Sequence, residues 1–257
     1  MHEDVWKTDA EWFKPWFNTE AYHVLYGHRS ESEAQHLIAA LTRQGAMGTP
    51  GRALDAGCGA GRHARALAEQ DWQVDAFDLS EASIREAQSQ KTHRATFHCL
   101  DLRALREQGQ WRATFDLVTN FFTSLGYFSD SAEHEAVVEG FVKVLKPGGR
   151  LVVDFLNLSR VERHLVEKET ILRKGTSFQI HRRIQQGWIE KSIQFEWEGV
   201  LQHHVERVRA LSPEDLRDML VRHGLVVVDL WGDYQLSDWT PSSPRCLLLA
   251  ERPTEHP

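Results

Sequence analysis

The run Leu54-Asp55-Ala56-Gly57-Cys58-Gly59-Ala60-Gly61-Arg62 decides the fold. An apolar strand over 52–55 ends in three alternate glycines, and a helical pattern over 62–70 follows at once. Glycines so spaced let the backbone turn sharply and bring its N–H groups against a ligand without interference from Cβ atoms. Several nucleotide-binding folds place such a turn between a strand and a helix, and the dinucleotide fingerprint among them needs G-x-G-x-x-G. Gly57 and Gly59 fit its first two places, but Arg62 stands in the third and Gly61 comes one position early. That mismatch disfavours an NAD-linked oxidoreductase.

Outward from this turn the alternation continues, with strands over 73–78, 96–99, 115–119 and 151–155 and helices over 81–90 and 132–145. Short, nearly all-apolar strands separated by helices predict a parallel sheet covered on both faces. Segments 170–173, 177–184, 189–197 and 200–208 are instead rich in β-branched and aromatic residues, with Lys174-Gly175 and Gln186-Gly187 at hairpin positions. They predict a small antiparallel sheet. Ser212 then reads as an N-cap and Pro213 as the first residue of a helix ending at Gly224, before a last strand pair over 225–230 and 246–250. The expected architecture is α/β, a doubly wound seven-stranded and mostly parallel sheet with a small antiparallel β insert. Its expected divisions are an aromatic helical cap over 1–47, a ligand-binding core over 48–158, the insert over 159–211 as lid or dimerisation surface, and the rest of the core sheet over 212–257.

Composition narrows the function. The 257 residues are 41% hydrophobic and 26% charged, ordinary for an enzyme with a full core. No apolar run approaches the roughly 18 residues of a membrane span, and the first residues lack the apolar stretch of a signal peptide. Three scattered cysteines, Cys58, Cys99 and Cys246, suggest neither a zinc site nor a disulfide framework. A cytoplasmic protein is expected, with no membrane partner and no metal. The net charge of −7 argues against nucleic acid as substrate, although Arg182, Arg183, Arg207 and Arg209 could gather into a local basic patch.

The strand tips carry the chemistry. In a doubly wound sheet the ligand crevice lies at the carboxyl ends of the strands, near the switch in strand order. Asp78 ends the second strand 21 positions after Gly57, where a carboxylate can accept ribose hydroxyls. Asp101 ends the third, placed to reach an adenine amino group, and Asn120 ends the fourth. A Gly-x-Gly-x-Gly turn with an acid two residues before it points to S-adenosylmethionine (SAM). With LDAGCGAGR, FDLS, HCLDL and LKPGGRLVVDF, the chain resembles the class I SAM-dependent methyltransferases over about residues 50–157 plus the terminal helix and strand pair. The resemblance implies SAM as cofactor, with Asp55, Gly57, Gly59, Gly61, Asp78, Leu79, Asp101, Leu102 and Asn120 among its binding residues.

The aromatic stretch WFNTEAYHVLYGHR and the antiparallel insert are similar to a subgroup acting on small molecules, sugar-amine N-methyltransferases and glycine or sarcosine enzymes among them. That likeness implies a small-molecule acceptor methylated on N or O, in a monomer or homodimer. It also makes Tyr22 and Tyr26 candidates to fold over the cofactor's methionine end, with Arg29 near its carboxylate. Asn120-Phe121-Phe122-Thr123 stands where enzymes acting on planar amino groups carry N/D-P-P-Y/F, and both prolines are missing. Phe121, Phe122 and Tyr127 are therefore candidate walls of the transfer site. His23 and His181 are candidate general bases, since an amine must arrive neutral and a hydroxyl must lose its proton. Arg182, Asp233, Tyr234 and Arg245 are candidates for a polar substrate pocket. The alternative is a non-catalytic SAM binder that engages a protein partner through the insert.

Overall fold

The computed structural model describes residues 6–27, 30–90 and 92–254. Three helices come first: α1 (Phe13–Trp16), α2 (Glu20–Tyr26) and α3 (Glu31–Arg43). Then follow β1 (Arg52–Ala56), α4 (Arg62–Glu69), β2 (Gln73–Asp78), α5 (Glu81–Ser89) and β3 (Ala95–Cys99). The core continues through β4 (Phe115–Asn120), α6 (Ser131–Val144) and β5 (Leu145–Leu156). Helix α7 (Leu158–His164) leads into β6 (Lys168–Arg173), β7 (Thr176–Gln185), β8 (Trp188–Trp197) and β9 (Val200–Arg209). Last come α8 (Pro213–Arg222), β10 (Val226–Trp231) and β11 (Arg245–Glu251).

The main sheet has seven strands in the order β10-β11-β5-β4-β1-β2-β3. Strands β1 to β5 run parallel, and β11 is antiparallel to both of its neighbours. Both faces of the sheet are covered at its centre, which is why β1, β4 and β11 are buried along nearly their whole length rather than at alternate residues. One apolar cluster gathers Leu37, Ile38 and Leu41 of α3 with Leu67 of α4 and Ile84 of α5. The other gathers Val137, Phe141 and Val144 of α6 with Leu216 and Leu220 of α8. Strand order reverses between β1 and β4, so the carboxyl ends of β1 to β4 form the crevice edge.

Strand β5 begins six residues before the 151 expected from the apolar pattern, because Lys146-Pro147-Gly148-Gly149 is held within the sheet. Gly148 takes φ +76 there, and its N–H donates to the carbonyl of Arg252 at 2.7 Å. Helix α8 starts with Ser212 in a reciprocal capping box with Asp215 and Pro213 in the first turn.

The insert is a separate four-stranded antiparallel sheet in the order β6-β7-β8-β9. Its turns are left-handed pairs at Lys174-Gly175, Gln186-Gly187 and, unforeseen in the sequence, Glu198-Gly199. Alternate residues Phe178, Ile180, Ile193 and Phe195 face the core and are buried with it.

Candidate active site

The glycine turn is built by close approach. Gly57, Gly59 and Gly61 all have positive φ, at +78, +53 and +81. The N–H groups of Gly57 and Cys58 donate to the carbonyl of Phe77 at 2.8 and 2.9 Å, tying the turn to β2. A Cβ on Gly57 would meet Ser124 Oγ at 2.9 Å, whereas one on Gly59 would meet nothing within 4 Å, so the turn is open at its tip. Gly61 serves packing, since it caps α4 and a Cβ there would strike Phe97 at 2.6 Å.

Two adjoining cavities open from this turn. The larger, about 470 Å³, is walled by Gly57, Gly59 and Asp78 at the sheet edge and by Tyr22, His23 and Tyr26 of α2. Phe121, Phe122 and Tyr127 close another side. The smaller, about 50 Å³, is lined by Leu79, Asp101 and Leu102 with Phe13 and Phe128. Gly57, Asp78, Phe17, Ser124 and Tyr127 border both. Gly57, Asp78 and Asp101 therefore surround one continuous recess.

Each acid is held differently. Asp78 takes the N–H of Gly59 on Oδ2 and that of Ser80 on Oδ1, both at 2.8 Å. Burial raises its pKa, and those two amides pull against the rise. Asp55 is buried; Thr119 donates to its Oδ1 at 2.9 Å, and Oδ2 has no hydrogen-bond partner among the described residues. Burial, opposed by the Thr119 bond and aided by the nearby Asp78 charge, pushes Asp55 up to about 7. Burial also raises Asp101, but the Arg103 guanidinium outweighs it and leaves the carboxyl below its usual value. Arg103 in addition grips Glu11 at 2.7 Å and Glu133 at 2.5 Å, pinning the N-terminal segment beside the smaller recess. Nothing local in the sequence marks Arg103, because those partners lie far away along the chain.

The loop after β4 is strained and clamped. Phe122 and Thr123 take φ +61 and +69, unusual for a bulky and a β-branched residue. Their N–H groups donate to Asp154, to Oδ2 and to the carbonyl oxygen respectively, each at 3.0 Å. Asp154 is fully buried at the end of β5, where Arg245 Nε donates to it at 2.8 Å and the Tyr234 hydroxyl at 2.9 Å. Burial and the Asp154 charge hold the Tyr234 phenol well above its ordinary pKa. The Phe122 ring lies between the Arg62 and Arg245 guanidinium groups, at 4.1 and 5.4 Å. Sequence reasoning passed over Asp154, although an acid inside the apolar run LVVDF was the available signal.

The cap docks on the insert through a polar knot. The Tyr26 hydroxyl donates to Glu206 at 2.7 Å, Trp16 Nε1 donates to the same carboxylate at 2.7 Å, and Lys191 Nζ donates to the Tyr26 hydroxyl. Trp16 also stacks on His204 with ring centroids 4.1 Å apart. His23 sits on the larger recess with Nδ1 3.8 Å from Glu86, and its Nε2 is buried with no partner among the described residues. His63, unforeseen as a lining residue, packs its ring 4.6 Å from Phe121.

Several expected site residues lie elsewhere. His181 is exposed on the outer face of β7, because Phe178 and Ile180 take the inward positions of that strand. Arg182 pairs with Glu169 on β6 and does not line the recess. Asp233 accepts the N–H groups of Gln235 and Ser237 and so shapes its own loop. Arg245 does not line the recess but supports it from behind, through Asp154. Arg29 lies outside the described residues.

A bent glycine turn, an acid at the next strand tip and a lined hollow beside the third share one crevice at the edge of a Rossmann-like sheet. The donor set fits SAM on this structure's own terms. Asp55 Oδ2 and Asn120 Oδ1 are buried oxygens without partners among the described residues, beside a turn that is open at Gly59. Residues 53–149 match the model of a methyltransferase domain. The chain contains a methyltransferase domain over this stretch and shares the fold of SAM-dependent methyltransferases.

Among its relatives is the ubiquinone biosynthesis O-methyltransferase of Idiomarina loihiensis, 32% identical over 109 residues, which are 41% of this chain and 42% of the relative. Another is the dTDP-3-amino-3,4,6-trideoxy-α-D-glucopyranose N,N-dimethyltransferase of Streptomyces venezuelae, 32% identical over 101 residues, 39% of this chain and 40% of the relative. The chain spans about half the length of the curated relatives it matches. In structure it is similar to the CcbJ methyltransferase of Streptomyces caelestis, with TM-score 0.75 at 18% identity over 93% of this chain and 98% of that one. Among the described residues, no helix is long and apolar enough to cross a membrane.

Proposed function

We propose that this protein transfers the methyl group of SAM to the nitrogen or oxygen of a small molecule held in the larger recess. The observation that carries the reading is the shared border of Gly57, Asp78 and Asp101 with a recess roofed by α2 and the Phe121-Phe122 loop. In it Asp78 would take the ribose hydroxyls, Leu79, Asp101 and Leu102 the adenine, and Asp55 and Asn120 the methionine end. Bound SAM would supply an electrophilic methyl on a sulfonium, with S-adenosylhomocysteine as the leaving group.

What this chain's own residues contribute is position and dryness. Tyr22, Tyr26 and Phe122 present aromatic surface, which suits a sulfonium cation. The knot at Glu206 holds α2 down, and the Asp154 clamp holds Phe122 in its strained pose. Small size of the acceptor is supported by the confined volume and by relatives named for an amino sugar and for ubiquinone biosynthesis. Incubation with methyl-labelled SAM and a panel of amino sugars, phenols and a metabolite extract tests the reading. Label in a small product is expected. Tight SAM binding with no label transfer, and recovery of a protein bound through the insert, would replace it with the non-catalytic alternative.

A further inference from the structure

A second hollow, about 260 Å³, lies between the N-terminal segment and the outer face of the insert sheet, and it shares no lining residue with the cofactor recess. Its walls are Trp6, Lys7 and Thr8 on one side and Arg183, Glu190 and Arg207 with two glutamines on the other. At its centre Glu190 is buried, and its two oxygens pair with Nε of Arg183 at 2.6 Å and Nε of Arg207 at 2.9 Å. Each guanidinium also lies over an indole, Arg183 on Trp6 at 4.1 Å and Arg207 on Trp188 at 4.5 Å. Both are therefore fixed in place at the Nε edge and on one flat face.

A guanidinium carries five N–H donors; Arg183 donates Nε to Glu190, and Arg207 Nε faces the same carboxylate at 2.9 Å as an ion pair without the alignment of a hydrogen bond, so both keep their Nη donors for a further acceptor. Charge points the same way. Lys7, Arg183 and Arg207 against Glu190 leave an excess of two positive charges in one hollow, on a chain whose net charge is −7. We propose that this hollow binds a doubly charged oxyanion of the phosphate class, a phosphate ester or a pyrophosphate group, through the Nη groups of Arg183 and Arg207 with Lys7. Paired arginines match such oxygens in two-point fashion. At about 260 Å³ the hollow has room for one anionic group rather than for a length of polymer.

Calorimetric titration of the full chain with inorganic phosphate, and separately with pyrophosphate, tests this in a phosphate-free buffer of low ionic strength. Saturable binding is expected, and whichever ligand binds more tightly tells a monophosphate group from a diphosphate. The double variant R183Q/R207Q is expected to bind at least about ten-fold more weakly, with its thermal stabilisation by S-adenosylhomocysteine unchanged as the control for folding. The variant E190Q removes the one opposing charge and keeps the side-chain shape, so binding as tight as or tighter than the wild type is expected. No saturable binding of either anion to the wild type, or equal binding by R183Q/R207Q, overturns the proposal. Neither result bears on methyl transfer, which the label assay reads independently.

Discussion

Replacing Asp55 by asparagine separates what this acid costs the fold from what it gives the site. Its carboxyl is 1% exposed, and its pKa stands at about 7 against an ordinary 3.8. The folded state thus holds this proton more tightly than the unfolded chain. The stabilisation it brings is complete below pH 3.8 and is lost as pH rises toward 7, beyond which the penalty is constant. Three units at about 1.36 kcal/mol each make the whole loss about 4 kcal/mol, and the part between pH 5.5 and 7 about 2 kcal/mol.

Asparagine keeps the volume and still accepts the Thr119 hydroxyl, but it carries no charge at any pH. Its amide N–H groups would face the place where Oδ2 lacks a partner, a constant cost of about 1–3 kcal/mol. Because that cost does not vary with pH, it cancels when each protein is compared with itself. Urea unfolding of wild type and Asp55→Asn at pH 5.5 and pH 8.5, without cofactor, reads the difference. The variant is expected to gain about 2 kcal/mol on the wild type between the two pH values. Parallel stabilities at both would refute the buried, unneutralised carboxylate. The same charge, if it serves the cationic end of SAM, makes wild-type affinity rise with pH up to about 7 and leaves Asp55→Asn weak throughout.

Three further perturbations address the rest of the site. Asp78→Ala is expected to weaken SAM binding by about 1–3 kcal/mol through lost charge-assisted hydrogen bonds; unchanged calorimetric affinity would remove it from the cofactor site. Asp154→Asn leaves Arg245 without its buried counter-charge and loosens the Phe122 loop, so a loss of about 3 kcal/mol in urea unfolding is expected. A loss below about 0.5 kcal/mol, the scale of an ordinary surface change, would mean that the clamp carries no strain. Tyr26→Phe breaks the bonds to Glu206 and Lys191 and is expected to slow label transfer more than it weakens S-adenosylhomocysteine binding; equal transfer rates would return Tyr26 to a purely structural part.

How much of this could be read beforehand depends on how far apart the cooperating residues lie. The seven-stranded sheet was legible because local pattern and global fold agree along most of the core, from the buried β1 to the capping box at Ser212. The meeting of Gly57, Asp78 and Asp101 at one recess was legible for the same reason, since each sits at a strand tip whose place the alternation dictates. The α2 and N-terminal walls of the recess are a different matter. Glu206 reaches Tyr26 across 180 residues, and Arg103 reaches Glu11 across 92. No spacing rule connects such pairs, and the histidines show the consequence. His23 reached the recess because α2 turns that face inward, whereas His181 faces out because its strand neighbours are the larger hydrophobes. What backbone topology fixes is thus written in motifs, while the α2 side of the recess, where the proposed function places the acceptor, rests on side chains brought together only by the docking of the cap on the insert. Acceptor identity should accordingly change with substitutions at the α2–insert contact that leave the affinity for SAM untouched.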